Sequence, residues 1–169
     1  AGADAFLMVA PYYNKTSQAG LVAHYNYIAD RVEKPIILYN VPSRTGVAIK
    51  PATYKELSKH ERIVAVKEAN GDLSSVAETK YLCGDDLDIY SGNDDQIIDI
   101  VALGGKGVIS VLSNVAPQVV HNMCYSYFNG DVKTARDLQI KYVNLIAALF
   151  SDVNPIPVKE AMNIMGFDV

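Results

Sequence analysis

The chain has 169 residues, of which 50% are hydrophobic and 20% are charged, and its formal net charge is −4. This composition is typical of a globular protein that builds its own hydrophobic core. The mild negative charge argues against binding to nucleic acid, because phosphate backbones are bound by clustered lysine and arginine. No apolar stretch approaches the roughly 18 residues that a membrane span needs. We therefore expect neither nucleic acid nor a membrane among its partners.

Short apolar segments alternate with longer amphipathic ones along most of the chain. The predicted strands are 5–9, 36–39, 63–67, 87–90 and 107–111. The predicted helices are 17–32, 51–59, 73–82, 94–103, 117–128, 131–150 and 155–165. The first strand, like the others, is expected to be buried. Strands that alternate with helices in this way predict an α/β fold with a parallel sheet covered on both faces.

Two architectures fit this pattern. A doubly wound open sheet of five strands suits the length of the chain, whereas a (β/α)₈ barrel needs about 250 residues and this chain could supply only part of one. Length favours the open sheet. The polar and aromatic residues at the predicted strand ends favour the barrel.

Cysteines and histidines provide no recognisable metal site. Cys83 and Cys124 lie far apart and match no metal-ligand spacing, and His24, His60 and His121 share no common spacing either. We therefore expect no metal, no other cofactor and no histidine-based catalytic triad. Two reduced thiols are typical of a protein in a reducing compartment, so the expected location is the cytoplasm.

Lys67 is the most informative residue at a strand end. It follows Ala65 by two positions, so the two side chains should share one face of the third predicted strand. A lysine enclosed there loses hydration, which favours its neutral amine, and a neutral amine can condense with a ketone to form a Schiff base. The alternative is a strand-end lysine that reaches solvent or pairs with Glu68.

Tyr39 and Arg44 strengthen the Schiff-base interpretation. Tyr39 ends the preceding strand, and neighbouring strands lie about 4.8 Å apart, so its phenol could exchange protons with an adduct on Lys67. Arg44 follows in a loop, where its guanidinium could bind a carboxylate. The alternatives are a tyrosine at the rim of a sheet with its hydroxyl in water, and a solvated loop arginine.

Taken together, these strand ends resemble the dihydrodipicolinate synthase family, which belongs to the pyruvate-dependent class I aldolases of the N-acetylneuraminate lyase type. The matching blocks, in the order of the family, are 11–14 (PYYN), 39–46 (YNVPSRTG), 66–69 (VKEA), 91–94 (SGND), 104–110 (GGKGVIS) and 154–159 (NPIPVK). The resemblance spans essentially the whole chain, and the combination is far more specific than any single block.

The resemblance implies roles for individual residues. Lys67 would form the imine with pyruvate, and Tyr39 would transfer protons during imine formation and cyclisation. Tyr13 would complete a proton relay in the active site of a neighbouring subunit. Arg44 would bind the carboxylate of aspartate semialdehyde. The residues expected to line the pyruvate pocket are Gly92 and Ile109.

The resemblance also implies an architecture and an assembly. Members of the family begin with three further βα units, so residues 1–114 are expected to supply strands four to eight of a (β/α)₈ barrel. Residues 115–169 would form the last barrel helix and the start of a C-terminal helical segment. The family's paired threonines, which hold the carboxylate of pyruvate, have no counterpart here, so residues 1–169 alone are not expected to be active. A homotetramer of tight dimers is expected.

Two other functions remain open at this point. A related aldolase could use the same lysine to cleave N-acetylneuraminate or keto-deoxy-sugar acids, although Arg44 better suits a small carboxylated aldehyde. A non-catalytic binding module with five strands would instead leave Lys67 and Tyr39 too far apart or too exposed to share a substrate.

Overall fold

The computed structural model describes residues 2–169. The strands are β1 (Phe6–Val9), β2 (Ile36–Asn40), β3 (Ile63–Glu68), β4 (Asp88–Ser91) and β5 (Gly107–Val108). The helices are α1 (Gln18–Ala29), α2 (Pro42–Thr45), α3 (Pro51–Leu57), α4 (Leu73–Cys83), α5 (Ile97–Ala102), α6 (Pro117–Phe128), α7 (Val132–Lys141), α8 (Val143–Leu149) and α9 (Ile156–Ile164). The five strands form one parallel sheet in the order β1-β2-β3-β4-β5. The predicted α/β class is therefore confirmed.

Several predicted elements differ from the structure in length. The predicted helix 131–150 is divided at Tyr142, which closes α7 with φ −96° and ψ 5° and immediately precedes α8. The predicted strand 107–111 is reduced to two residues. Val111 has helical dihedral angles, φ −83° and ψ −44°, and its backbone N–H donates to the carboxylate of Asp94 at 3.0 Å. The segment then forms a 3₁₀ turn, Leu112–Asn114.

The first strand is not buried among residues 2–169, although its apolar sequence is typical of a buried strand. Phe6, Leu7 and Val9 in β1 are 39%, 48% and 37% exposed. Among the described residues, β1 has a neighbouring strand, β2, on one side only.

The backbone divides into two compact units. The first contains the chain up to Tyr90 together with Leu103–Lys106, and the second contains Ser91–Ala102 and Gly107–Val169. In the first unit, Leu21 and Tyr25 of α1 and Tyr54 and Leu57 of α3 are fully buried. The second unit has its own buried apolar cluster: Ile97, Leu112, Val120, Met123, Cys124, Ile146, Leu149 and Val158. Among residues 2–169, no helix combines the length and apolar character needed to cross a membrane.

The register between β2 and β3 positions the candidate site. Tyr39 lies opposite Lys67, and Asn40 lies opposite Glu68. Because side chains alternate along a strand, the first pair and the second pair belong to opposite faces of the sheet. Asn40 and Glu68 are 0% and 3% exposed, whereas Tyr39 and Lys67 are half-buried. The two polar pairs therefore have different environments at the same edge of the sheet.

Candidate functional site

Lys67 and Tyr39 are brought together at the carboxyl ends of β3 and β2. The Nζ atom of Lys67 lies 4.4 Å from the centroid of the Tyr39 ring. Both side chains are half-buried, which leaves access for a small molecule. This geometry disagrees with the non-catalytic alternative, in which the two residues would be too far apart to share a substrate. An amine and a phenol at this separation can act on the same small carbonyl compound.

The phenol of Tyr39 is suited to hold its proton near neutral pH. Burial raises the pKa of Tyr39 above its ordinary value, and the positive charge of Arg44 partly opposes this by lowering the pKa. At neutral pH the Tyr39 side chain therefore keeps its hydroxyl proton. The positive charge of Arg44 therefore acts on the phenol of Tyr39.

The connection between β2 and α3, which carries Arg44, is hydrogen-bonded to the end of β2. The side-chain Oδ1 of Asn40 accepts the backbone N–H of Ile49 at 3.0 Å. Within the connection, the hydroxyl of Thr45 donates to the carbonyl of Val47 at 2.9 Å. The short helix α2 starts at Pro42 and is followed by Gly46, which caps it and whose φ of 72° is the left-handed conformation that favours glycine. Arg44, which is exposed, thus projects from a braced connection.

A buried polar cluster that the sequence did not predict lies on the opposite face. The amide of Asn40 donates to both carboxylate oxygens of Glu68, at 2.9 and 3.1 Å. The hydroxyl of Tyr54 in α3 donates to the same carboxylate at 2.8 Å, and the backbone N–H of Asn70 donates to it at 2.9 Å. Asn40, Glu68 and Tyr54 are 0%, 3% and 0% exposed. We call these three residues the buried clamp.

The environment of the clamp shifts two pKa values upward. Burial is the largest cause of the raised pKa of Glu68, and hydrogen bonds from Asn40, Tyr54 and the backbone oppose it. Burial also raises the pKa of Tyr54 well above its ordinary value, with the neighbouring Glu68 adding to the shift. The only sequence signal for this cluster was the presence of Asn40 and Glu68 at the ends of two apolar strands. No sequence pattern indicated that Tyr54 belongs to the cluster.

Gly92 and Ile109 are brought together within the second unit. The backbone N–H of Ile109 donates to the carbonyl of Ser91, next to Gly92, at 2.9 Å. The hydroxyl of Ser91 donates to the carbonyl of Asn93 at 2.7 Å and closes the turn at Gly92. Both Gly92 and Ile109 are half-buried. The two positions expected to line a pocket thus lie on neighbouring, hydrogen-bonded segments.

Asp94 braces the same part of the second unit. Its side chain is 1% exposed, and its Oδ2 accepts the backbone N–H groups of Val111 and Leu112 at 3.0 and 2.8 Å. The carbonyl of Asp94 accepts the amide of Gln139 in α7 at 2.9 Å. Sequence reasoning treated Asp94 only as the start of a helix and missed this contact.

Tyr13 occupies a different environment from the other candidates. It is 89% exposed and has a positive φ of 68°, which is uncommon for a residue other than glycine. Its ring therefore projects away from the body of the first unit. Over residues 2–169, no group of three or more histidine, cysteine, aspartate or glutamate side chains could hold a metal ion.

A family model and two curated relatives all match this chain to the same family. The model of the dihydrodipicolinate synthetase family matches residues 1–169. The 4-hydroxy-tetrahydrodipicolinate synthase of Clostridium perfringens is 56% identical over 167 residues, which cover 99% of this chain and 57% of that protein. The enzyme of the same name from a Thermoanaerobacter species is 57% identical over 170 residues, covering 100% of this chain and 57% of that protein.

Solved structures agree with this assignment. The crystal structure of dihydrodipicolinate synthase from Thermotoga maritima matches with a TM-score of 0.97 and 44% identity, over 99% of this chain and 58% of that one. The enzyme from Aquifex aeolicus matches with a TM-score of 0.95 and 41% identity, over 98% of this chain and 57% of that one. Structures of this kind are (β/α)₈ barrels, so the prediction of a partial barrel is confirmed. The chain spans about 57% of the length of the curated relatives that it matches.

Proposed function

The chain belongs to the dihydrodipicolinate synthetase family, and from this premise we propose that the protein is a Schiff-base-forming class I aldolase. The reaction is the condensation of pyruvate with aspartate semialdehyde to give 4-hydroxy-tetrahydrodipicolinate, a step of lysine and diaminopimelate biosynthesis. The observation that carries the proposal is the position of the Lys67 Nζ atom, 4.4 Å from the ring centroid of Tyr39.

The first half of the reaction uses Lys67 and Tyr39. The unprotonated amine of Lys67 adds to the ketone carbon of pyruvate, and the resulting carbinolamine loses water to give an imine. Departure of the hydroxyl requires a proton, which Tyr39 supplies because its raised pKa keeps the phenol protonated. Gly92 and Ile109 would line the pocket for pyruvate.

The second half forms a carbon–carbon bond and then a ring. Loss of a methyl proton converts the imine into an enamine, whose carbon attacks the aldehyde carbon of aspartate semialdehyde. Arg44 would hold the carboxylate of this substrate, since a guanidinium binds carboxylates through paired hydrogen bonds. The amine of the condensed product then attacks the imine carbon, closes the six-membered ring and releases the amine of Lys67.

We propose further that the active form is a homo-oligomer, a tetramer built from tight dimers, in which Tyr13 extends the proton relay of a neighbouring subunit. The 89% exposure of Tyr13 is what a residue that acts on another subunit needs. Sedimentation of the intact protein tests the assembly, and a monomer with full activity would contradict it. The cytoplasm is the proposed location, in keeping with two free cysteines.

Borohydride trapping tests the chemistry. The intact protein incubated with pyruvate and then reduced should carry one stable adduct, which peptide mass mapping should locate at Lys67. Lys67→Ala should abolish trapping, whereas the matched variant Lys159→Ala, which removes an exposed lysine of α9, should leave it unchanged. No adduct with the intact protein, or an adduct at Lys159, would refute the proposal.

Turnover distinguishes the proposed substrate from those of related aldolases. The intact protein should consume aspartate semialdehyde in the presence of pyruvate. It should not release pyruvate from N-acetylneuraminate or keto-deoxy-sugar acids. The opposite preference would leave the Schiff-base step intact and overturn the identity of the second substrate.

A further inference from the structure

The buried clamp joins three segments that carry the proposed reaction. Asn40 and Glu68 directly follow Tyr39 and Lys67 and face each other across β2 and β3. The backbone N–H of Ala69 also donates to the carbonyl of Asn40 at 2.9 Å. Through its Oδ1, Asn40 further holds the connection that carries Arg44. One cluster thus fixes the ends of both strands and the connection between them.

The hydrogen-bond pattern of the clamp has a definite direction. The Glu68 carboxylate accepts from three donors: the amide of Asn40, the hydroxyl of Tyr54 and the backbone N–H of Asn70. An ionised carboxylate can accept all of these bonds, whereas a glutamine amide would turn its own donor towards another donor. Because the groups are buried, a mismatched donor pair cannot be relieved by water.

The two faces of the sheet couple the clamp to the reacting atoms. Tyr39 and Lys67 are each one peptide unit away from a clamp residue, so a shift of Asn40 relative to Glu68 must move the two residues relative to each other. Catalysis is sensitive to such shifts, since a displacement of about 1 Å can lower a rate by about 100-fold.

We propose that Asn40, Glu68 and Tyr54 are positioning residues that hold the phenol of Tyr39 against the amine of Lys67 during imine formation. This inference rests on the proposed function. If it is correct, catalysis depends on a hydrogen bond between the ends of β2 and β3, and either of the two residues can be the donor.

A reversal of donor and acceptor tests the inference in the intact protein. Glu68→Gln should lower kcat for the condensation about 10- to 100-fold, because two amide donors then face each other. Asn40→Asp should have a similar effect, because two carboxylates then face each other. In the double variant the glutamine amide can donate to the aspartate carboxylate, and kcat should recover by at least about tenfold over either single variant.

The kcat of each variant is divided by the number of active sites, so that a loss of folded protein is not mistaken for a loss of positioning. The amount of pyruvate trapped at saturation gives the number of active sites, and the rate of trapping reports imine formation directly. Thr79→Val is a matched control, since Thr79 is 2% exposed and its hydroxyl donates at 2.8 Å to the carbonyl of Ser75 within α4. It should lower the Tm without changing kcat per trapped site.

Each outcome decides the question. Single variants with wild-type kcat per trapped site, or a double variant no faster than the singles, would overturn the inference. If the single variants do not fold, Tyr54→Phe, which removes one hydrogen bond of the clamp, should still slow trapping about 3- to 10-fold, and an unchanged rate would overturn the inference. Failure of the wild-type protein to form any adduct would instead remove the proposed function on which the inference rests.

Discussion

Replacement of Tyr54 by phenylalanine should reduce stability by an amount that depends on pH. The substitution keeps the buried ring and removes the hydroxyl that donates to Glu68 at 2.8 Å. A hydrogen bond to a charged group contributes about 1.5–3 kcal/mol, and a bond between neutral groups about 0.5–1.5 kcal/mol. Because Asn40 and Asn70 still donate to the carboxylate, we expect a loss of about 2 kcal/mol when Glu68 is ionised and about 1 kcal/mol when it is protonated.

The sign of the pH dependence follows from the pKa of Glu68. Burial raises this pKa in the folded state, and Tyr54 is one of the donors that lower it, so removal of the hydroxyl raises it further. A carboxyl whose pKa is raised on folding favours the fold below its unfolded pKa and loses that contribution as the pH rises through its folded pKa. The difference in free energy of unfolding between the variant and the wild type should therefore grow as the pH rises through the folded-state pKa of Glu68, which lies above the ordinary glutamate value of about 4.3.

Thermal unfolding of the intact protein across this pH range measures the effect. A loss of 2 kcal/mol corresponds to about 4–8 °C in Tm for a protein of 150–250 residues, and to less for a longer one. Tyr25→Phe is the matched control, because Tyr25 is also fully buried but donates at 3.3 Å to a neutral acceptor, the carbonyl of Met8. Tyr25→Phe should lower the free energy of unfolding by the same amount at every pH. A Tyr54→Phe loss that is absent or independent of pH would refute the reasoning.

Three further substitutions test other parts of the structure. Arg44→Ala should raise the KM for aspartate semialdehyde about 10- to 100-fold without affecting pyruvate trapping. It should also move the alkaline limb of the kcat pH profile upward, because Arg44 lowers the pKa of Tyr39; a downward shift would contradict this role. Asp94→Ala should destabilise the intact protein by about 2–4 kcal/mol, measured by denaturant unfolding, because two backbone N–H groups lose their acceptor. Gly46→Ala should cost about 1–2 kcal/mol for its left-handed backbone and only a small further amount for a Cβ placed 2.7 Å from the Cε of Lys15, because that atom lies at the end of a flexible side chain. Adding Lys15→Ala should restore only the stability lost to the steric contact. Full recovery of stability would show that the left-handed backbone of residue 46 contributes nothing to the loss.

Local patterns were sufficient for most of the elements and for the central pair of the candidate site. Helix α6 has the predicted bounds and the five strands come in the predicted order, but the short helix α2 was not predicted and the predicted helix 131–150 is two helices, α7 and α8. Lys67 and Tyr39 could be paired in advance because both end apolar strands that follow each other in the chain, and neighbouring parallel strands place their ends at one edge. The spacing of side chains along a strand is a local property, so it can be read from the sequence.

The features that the sequence did not reveal depend on contacts between distant segments. The bond between Asn40 and Glu68 joins residues 28 positions apart, and Tyr54 is 14 positions from Glu68. The carboxylate of Asp94 likewise accepts the backbone N–H groups of Val111 and Leu112, 17 and 18 positions away. A strand pattern specifies which face a side chain takes, but the group that it meets there is supplied by another element. For this reason the sequence alone determined the α/β fold and the residues proposed for the reaction, whereas only the tertiary structure identified the buried clamp behind them.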